Sequence, residues 1–161
     1  MSPARRRRVS SGVPFEQAVG YSRAVAAGDF IFVSGCTSMA DGKVVYEGDM
    51  AKQTEQALLN ANAALGQLGA SLADVVQTRI YVTDISRWAE AGEAHRLAFE
   101  DAPPAATMVQ VAALIDPLLL VEVEVVAHRE GGPDEDETEP DESETPPDAV
   151  RLDEPSTDYE I

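Results

Sequence analysis

The chain has 161 residues, enough for one domain of ordinary size and too few for two. Its formal net charge is −17, from 12 Lys and Arg against 29 Asp and Glu. A chain this negative repels phosphate backbones, which disfavours general nucleic-acid binding. No run of about 18 apolar residues is present, so the sequence predicts no membrane span. The N-terminal arginines are not followed by an apolar segment, so no secretory signal is predicted, and we expect a cytoplasmic protein.

The charge is unevenly distributed and indicates three segments. Residues 1–12 contain four consecutive arginines and are predicted to form a basic disordered arm. Residues 131–161 contain 13 acidic residues, five prolines and one arginine. They have too few apolar side chains to offset the entropy lost on ordering, so we predict an acidic disordered tail. The folded domain is expected over residues 13–130, and a basic protein is the partner that such a tail would attract.

Strand and helix signals alternate within the domain. Strands are predicted at residues 30–34, 43–46, 75–82, 107–111 and 119–127. One helix is predicted from its cap Asp49 to Leu68, and a second from about Ser86 to the residues before Pro103. The order ββ-α-β-α-ββ predicts an α+β fold in which two helices cover one face of a mixed sheet.

The last predicted strand alternates strictly between valine and polar residues. Glu122, Glu124, Val126 and His128 share one face, because successive side chains of a strand point to opposite sides. If the helices cover the valine face, the glutamate face must meet water, a ligand or another subunit. Two-layer proteins of this size often close such a face by forming oligomers.

Five side chains are candidates for chemistry. Glu122 and Glu124 lie roughly 7 Å apart on one face and could act as general acid or base, or simply be solvated. Cys36, at a strand end, is either a nucleophile or a small buried residue. Arg23 could bind an anion through two hydrogen bonds, and His95 is expected to be packed and hydrogen-bonded. No metal site is predicted, since there is one cysteine and the two histidines are far apart in the sequence.

Several motifs together resemble one known family. They lie at residues 20–25 (GYSRAV), 27–35 (AGDFIFVSG), 53–60, 74–78 (DVVQT), 81–84 (YVTD), 104–105 and 121–124 (VEVE). Over about residues 14–128 the chain resembles the Rid family, also called RidA or YjgF. The resemblance implies a chorismate-mutase-like subunit that assembles as a homotrimer around a barrel of sheets, with three clefts between subunits.

The resemblance also implies a chemistry. In the deaminase branch of the family, the clefts hydrolyse 2-imino acids, such as 2-iminopropanoate and 2-iminobutanoate, to 2-keto acids and ammonia without a cofactor. The family's catalytic glutamate, which positions or activates water, corresponds to Glu122. The cleft-lining tyrosine and serine correspond to Tyr21 and Ser34.

One position departs from that branch in a way that affects the chemistry. Where the family has the arginine that holds the substrate carboxylate, this chain has Ala106, followed by Thr107. Cys36 replaces the usual glutamine or threonine. The predicted ligand-binding residues are Tyr21, Arg23, Ser34, Cys36, Ala106 and Thr107, with Glu122 as the catalytic candidate.

Three functions remain open at this point. The first is binding of a small metabolite in the clefts without established turnover, as the missing arginine suggests. The alternative is imine or enamine hydrolysis without a cofactor, with Glu122 activating water and Arg23 or Arg79 replacing the carboxylate anchor. A ribonuclease, which some members of the family are described as, is disfavoured by the net charge and by the absence of a basic–aromatic stripe.

Overall fold

The computed structural model describes residues 6–130, in which two helices pack against one face of a mixed six-stranded sheet. The strands are β1 (Arg7–Val9), β2 (Ala24–Ala27), β3 (Phe30–Thr37), β4 (Met39–Ala40), β5 (Lys43–Val44), β6 (Val75–Val82), β7 (Ala105–Gln110) and β8 (Val121–His128). The helices are α1 (Pro14–Val19), α2 (Met50–Gly66) and α3 (Trp88–Ala98), with single 3-10 turns at Leu72–Asp74 and Ile85–Arg87. The sheet order is β1-β2-β3-β8-β6-β7, and β4 and β5 form a separate hairpin. The predicted α+β class is therefore confirmed.

Helix α2 begins and packs as its sequence predicts. The Asp49 carboxylate accepts a hydrogen bond of 2.9 Å from the Lys52 N–H and caps the helix. Its buried face, which includes Leu58, Ala61 and Leu65, lies against β3 and β8. The helix ends at Gly66, two residues before the predicted end at Leu68.

Helix α3 begins after a 3-10 turn in which the Asp84 side chain accepts a hydrogen bond from the Ser86 N–H. Ala91 and Phe99 are buried, whereas Trp88 is 61% exposed. Trp88 is the first residue of the helix, and its ring lies over Gly92 on the helix surface and not on the sheet.

The prediction that residues 1–12 form a disordered arm is wrong for part of this segment. Arg7–Val9 form strand β1, which pairs antiparallel with β2. Backbone pairing and the burial of Val9 order this segment, while Arg8 stays exposed on the sheet edge. The structure describes nothing of residues 1–5, and the predicted acidic tail at residues 131–161 also lies outside the described part of the chain.

The two faces of the sheet differ as the alternation in β8 predicts. Val121, Val123, Val125 and Ala127 are buried under the helices. The opposite face carries the glutamates of β8 and two half-exposed aromatic rings, Phe30 and Phe32. No helix within residues 6–130 is long and apolar enough to cross a membrane.

Candidate active site at Glu122

A break in the pairing of β3 with β8 positions the Glu122 carboxylate. The register shifts between Val33 and Cys36, which leaves Ser34 and Gly35 as a β-bulge opposite β8. A β-carbon at Gly35 would overlap Glu122 Oε1, so the glycine leaves room for the carboxylate where it lies. The backbone of Gly35 therefore forms one wall of the site, and Glu122 rests directly on it.

Arg23 links this bulge to the chain segment before β2 through hydrogen bonds. Its Nη1 donates to the Gly35 carbonyl oxygen at 2.7 Å, and its Nη2 donates to the Tyr21 hydroxyl at 2.9 Å. The guanidinium carbon also lies 5.4 Å from the centre of the Tyr21 ring. We call Glu122 and the four residues around it, Tyr21, Arg23, Ser34 and Gly35, the Glu122 site.

Glu16, which the sequence analysis missed, neutralises Arg23. Its buried carboxylate lies 3.5 Å from Arg23 Nε and accepts hydrogen bonds from the Ser10 and Ser11 hydroxyls and the Ser11 N–H. Burial alone would raise the pKa of Glu16, but these hydrogen bonds and the charge of Arg23 lower it to about 2. The available signal was an acidic residue in the first turn of a helix that begins with Pro14.

The pKa of Glu122 moves the other way. Burial raises it above its ordinary value, the positive charge of Arg23 opposes that rise, and the nearby charge of Glu124 adds to it. No side chain or backbone group within residues 6–130 donates a hydrogen bond to this carboxylate. Glu122 is therefore able to accept a proton, or a hydrogen bond from a ligand, without first breaking an internal contact.

Glu124, two residues along the same strand, is already paired. Its Oε1 accepts from Arg79 Nη1 at 2.8 Å and from the Tyr81 hydroxyl at 3.1 Å. Burial raises the pKa of Tyr81, and the hydrogen bond to Glu124 raises it further. The two glutamates that look equivalent in sequence thus differ, and Glu122 alone of the two has a free carboxylate in the described structure.

Ser34 and Cys36 have mainly internal contacts. The Ser34 hydroxyl donates to the Ser22 carbonyl oxygen at 2.7 Å. Cys36 is buried, and that burial raises the pKa of its thiol, opposed by Arg23 and reinforced by Glu122. A thiol with a raised pKa is a poor nucleophile, so the structure favours the packed alternative for Cys36.

Ala106 and Thr107 lie apart from the Glu122 site within one subunit. They are on β7, the outermost strand, where Ala106 pairs with Thr78 and Thr107 pairs with Arg79. Strand β6 separates them from Glu122 on β8, and the β7 residue in register with Glu122 is Val109, so both lie farther from Glu122 than the roughly 10 Å of two strand spacings. Both residues are exposed, so only a neighbouring subunit or a long ligand would bring them into contact with Glu122.

His95 is a packed residue. Its Nε2 lies 2.9 Å from the Thr78 hydroxyl, and its ring centre lies 4.6 Å from that of Phe99. Burial lowers the pKa of His95. In the described part of the chain, no three His, Cys, Asp or Glu side chains are placed to hold a metal ion.

Comparison with known proteins identifies the family. Residues 13–129 match the family described as Endoribonuclease L-PSP, the sequence family of the Rid and YjgF proteins. The chain belongs to this family. The match covers nearly all of the described residues, including every residue of the Glu122 site.

Three relatives illustrate the Rid/YjgF membership. An uncharacterized protein of Streptomyces coelicolor is 37% identical over 123 residues, which cover 76% of this chain and 92% of that protein. A RutC family protein of Pyrococcus abyssi is 36% identical and covers 68% of this chain and 87% of its own length. The crystal structure of Rv2704 from Mycobacterium tuberculosis, a member of the YjgF/YER057c/UK114 family, is 54% identical with a TM-score of 0.71. It covers 78% of this chain and 100% of its own.

Proposed function

We propose that this protein binds a small metabolite at the Glu122 site, in clefts completed by neighbouring subunits of a homotrimer, without efficient turnover of 2-imino acids. The observation that carries the proposal is the free Glu122 carboxylate. It is half-buried against Gly35, yet no group within residues 6–130 donates a hydrogen bond to it. Such a carboxylate is accessible to an N–H or O–H donor on a ligand.

The homotrimer is supported by the uncovered sheet face. Phe30 and Phe32 expose 44% and 49% of their surface beside the β8 glutamates, and a monomeric protein gains nothing from that exposure. Closing this face with identical subunits would bury both rings. It would also enclose Glu122, which one subunit leaves open.

Weak turnover is supported by the absence of a carboxylate anchor. Ala106 stands where the resemblance places the substrate-holding arginine, and such a charge-assisted contact contributes roughly 1.5–3 kcal/mol. Arg23 and Arg79 are poor replacements, since one is held by Glu16 and Gly35 and the other by Glu124. A small imino acid would therefore be both weakly bound and poorly oriented.

Imine or enamine hydrolysis remains the second candidate, and one observation favours it. The raised pKa of Glu122 brings this carboxyl closer to the range in which a general base works at neutral pH. In that reaction the Glu122 carboxylate would take a proton from water as the water oxygen attacks the imine carbon. Glu122 would return that proton to the nitrogen of the resulting carbinolamine. Transfer of the carbinolamine hydroxyl proton to the same nitrogen would then break the C–N bond, release ammonia and leave the keto acid.

The test is hydrolysis of 2-iminopropanoate, generated in place by an amino-acid oxidase and followed by loss of semicarbazide trapping. We expect the wild-type protein to be inert and Ala106→Arg to gain activity that Glu122→Gln removes in the double variant. Fast hydrolysis by the wild-type protein, abolished by Glu122→Gln, would instead establish the deaminase. If Ala106→Arg also stays inert, the cleft is not a retuned imino-acid site.

Three further proposals concern the partner, the location and the RNA binding of the protein. The acidic residues 131–161 fit a basic protein partner, since they carry 13 acids and one arginine. A trimer would display that segment three times and gain avidity for such a partner. We place the protein in the cytoplasm, and we expect no RNA binding from a chain of net charge −17.

A further inference from the structure

The charges around Glu122 indicate which class of ligand the site takes. We infer that the Glu122 site binds a positively charged nitrogen group, such as an ammonium or amidinium, in preference to a carboxylate. This inference rests on the proposed function, because it assumes that the ligand sits at Glu122. It adds the sign of the ligand's charge, which the proposed function leaves open.

The first arginine of the site cannot act as an anion receptor in its present position. Arg23 points its Nη1 at the Gly35 carbonyl oxygen and its Nη2 at the Tyr21 hydroxyl, while its Nε faces Glu16. Only 13% of its side chain is exposed. The positive charge of Arg23 is matched by a buried carboxylate, and the paired N–H groups that would grip a carboxylate already have acceptors.

The second arginine is matched in the same way. Arg79 donates to Glu124 at 2.8 Å, and Tyr81 donates to the same oxygen of Glu124. The neighbour of Arg79 on β7 is Thr107, which is uncharged. Each of the two arginines near Glu122 thus has its own carboxylate.

Neither of these two arginines forms an ion pair with Glu122. Its carboxylate has no hydrogen-bond donor among the described residues, whereas Arg23 and Glu124 on either side of it each have a partner of opposite charge. A ligand carboxylate placed against Gly35 would face the unpaired negative charge of Glu122 at short range, whereas a cationic N–H group would meet a free acceptor. The ligand's positive charge would then compensate the negative charge of Glu122.

The experiment compares three probes of one skeleton: butylammonium, butanoate and 1-butanol. Amide NMR titrations of the assembled protein would follow the Gly35 N–H signal, which reports on the wall of the site. We expect butylammonium to bind at least tenfold more tightly than butanoate, with 1-butanol between them. Glu122→Gln should weaken butylammonium binding at least tenfold.

Two more variants sharpen the test. Arg79→Gln lies on the surface and leaves Glu124 uncompensated, so it should strengthen butylammonium binding several-fold. Glu93→Gln removes an exposed glutamate paired with Arg96 on α3 and should leave every titration unchanged, which controls for net charge.

The outcomes separate the inference from the proposed function. Butanoate binding as tight as butylammonium binding, with both shifting Gly35 and both sensitive to Glu122→Gln, overturns the inference and keeps the binding site. Gly35 signals that no probe shifts would overturn both. Butylammonium binding that is equally weakened by Glu93→Gln would show a response to overall charge and also overturn the inference.

Discussion

Two Arg–Glu pairs flank Glu122, and they differ in burial. The Arg23–Glu16 pair has side chains only 13% and 5% exposed, whereas the Arg79–Glu124 pair has side chains 51% and 31% exposed. Removing one partner of a buried pair leaves the other charge buried and uncompensated, which is strongly destabilising. When an exposed pair loses one partner, water solvates the remaining charge and stability changes little. Arg23 and Glu16 therefore build the site, and Arg79 and Glu124 adjust its charge.

The largest expected effect is on stability when Glu16 is removed. Glu16→Ala leaves Arg23 buried without its carboxylate and frees the Ser10 and Ser11 hydroxyls, so we expect a loss of roughly 3–5 kcal/mol. Urea denaturation of the variant and the wild-type protein measures it. Glu93→Ala, which removes an exposed glutamate, is the matched control and should unfold with the wild type. A small effect of Glu16→Ala would place this pair in the same class as the exposed one.

The free energy of unfolding should also depend on pH through the Glu16 carboxylate. The folded pKa of Glu16 is about 2, against an ordinary value of 4.5, so its carboxylate stabilises the fold above pH 4.5. That contribution is lost as the pH falls from 4.5 towards 2. Glu16→Gln should therefore differ most from the wild type near neutral pH and approach it on acidification. A constant gap between the two proteins across this range would contradict the lowered pKa.

Glu122 should shift stability with the opposite sign. Its raised folded pKa means that the folded state favours the protonated form, so the Glu122 carboxylate opposes folding as the pH rises above its ordinary value of 4.5. Glu122→Gln should remove this penalty and make the protein slightly more stable at neutral pH. A carboxyl ¹³C titration of Glu122 would measure the pKa directly. A value at or below 4.5 would remove the basis for its role as a base.

A smaller effect is expected at the bulge that joins the two pairs. Gly35→Ala would force the Glu122 carboxylate away from the backbone. Because this carboxylate is the end of a flexible, half-buried side chain, we expect a cost of roughly 1 kcal/mol, the low end for overpacking. The cost should largely disappear in the double variant Gly35→Ala/Glu122→Ala, because the clashing carboxylate is then gone. A double-mutant cycle from urea denaturation measures this coupling. Equal costs with and without the Glu122 side chain would mean that Gly35 is required for the backbone alone.

The sequence predicts one side of this comparison better than the other. The regular alternation of β8 and the periodicity of α2 are local signals, so the strand of Glu122 and Glu124 and the helical cover of its valine face were predictable. The pair Arg23–Glu16 was not, because it depends on a turn, a short helix and a bulge that bring distant residues together. Strand β1 was missed for a related reason, since a run of arginines hides a segment that is ordered by pairing with β2.

The smallest effect is expected at the exposed Arg79–Glu124 pair. It tests whether this pair stays exposed when the subunits assemble. In one subunit, Arg79→Ala removes an exposed ion pair while Tyr81 still donates to Glu124, so stability should change by no more than the error of a denaturation experiment. Any small loss should vanish at high salt, which screens exposed charges. A large, salt-insensitive loss would show that a neighbouring subunit covers Arg79 and Glu124. The two pairs would then both be buried, and Arg79 would join Arg23 among the residues that build the site.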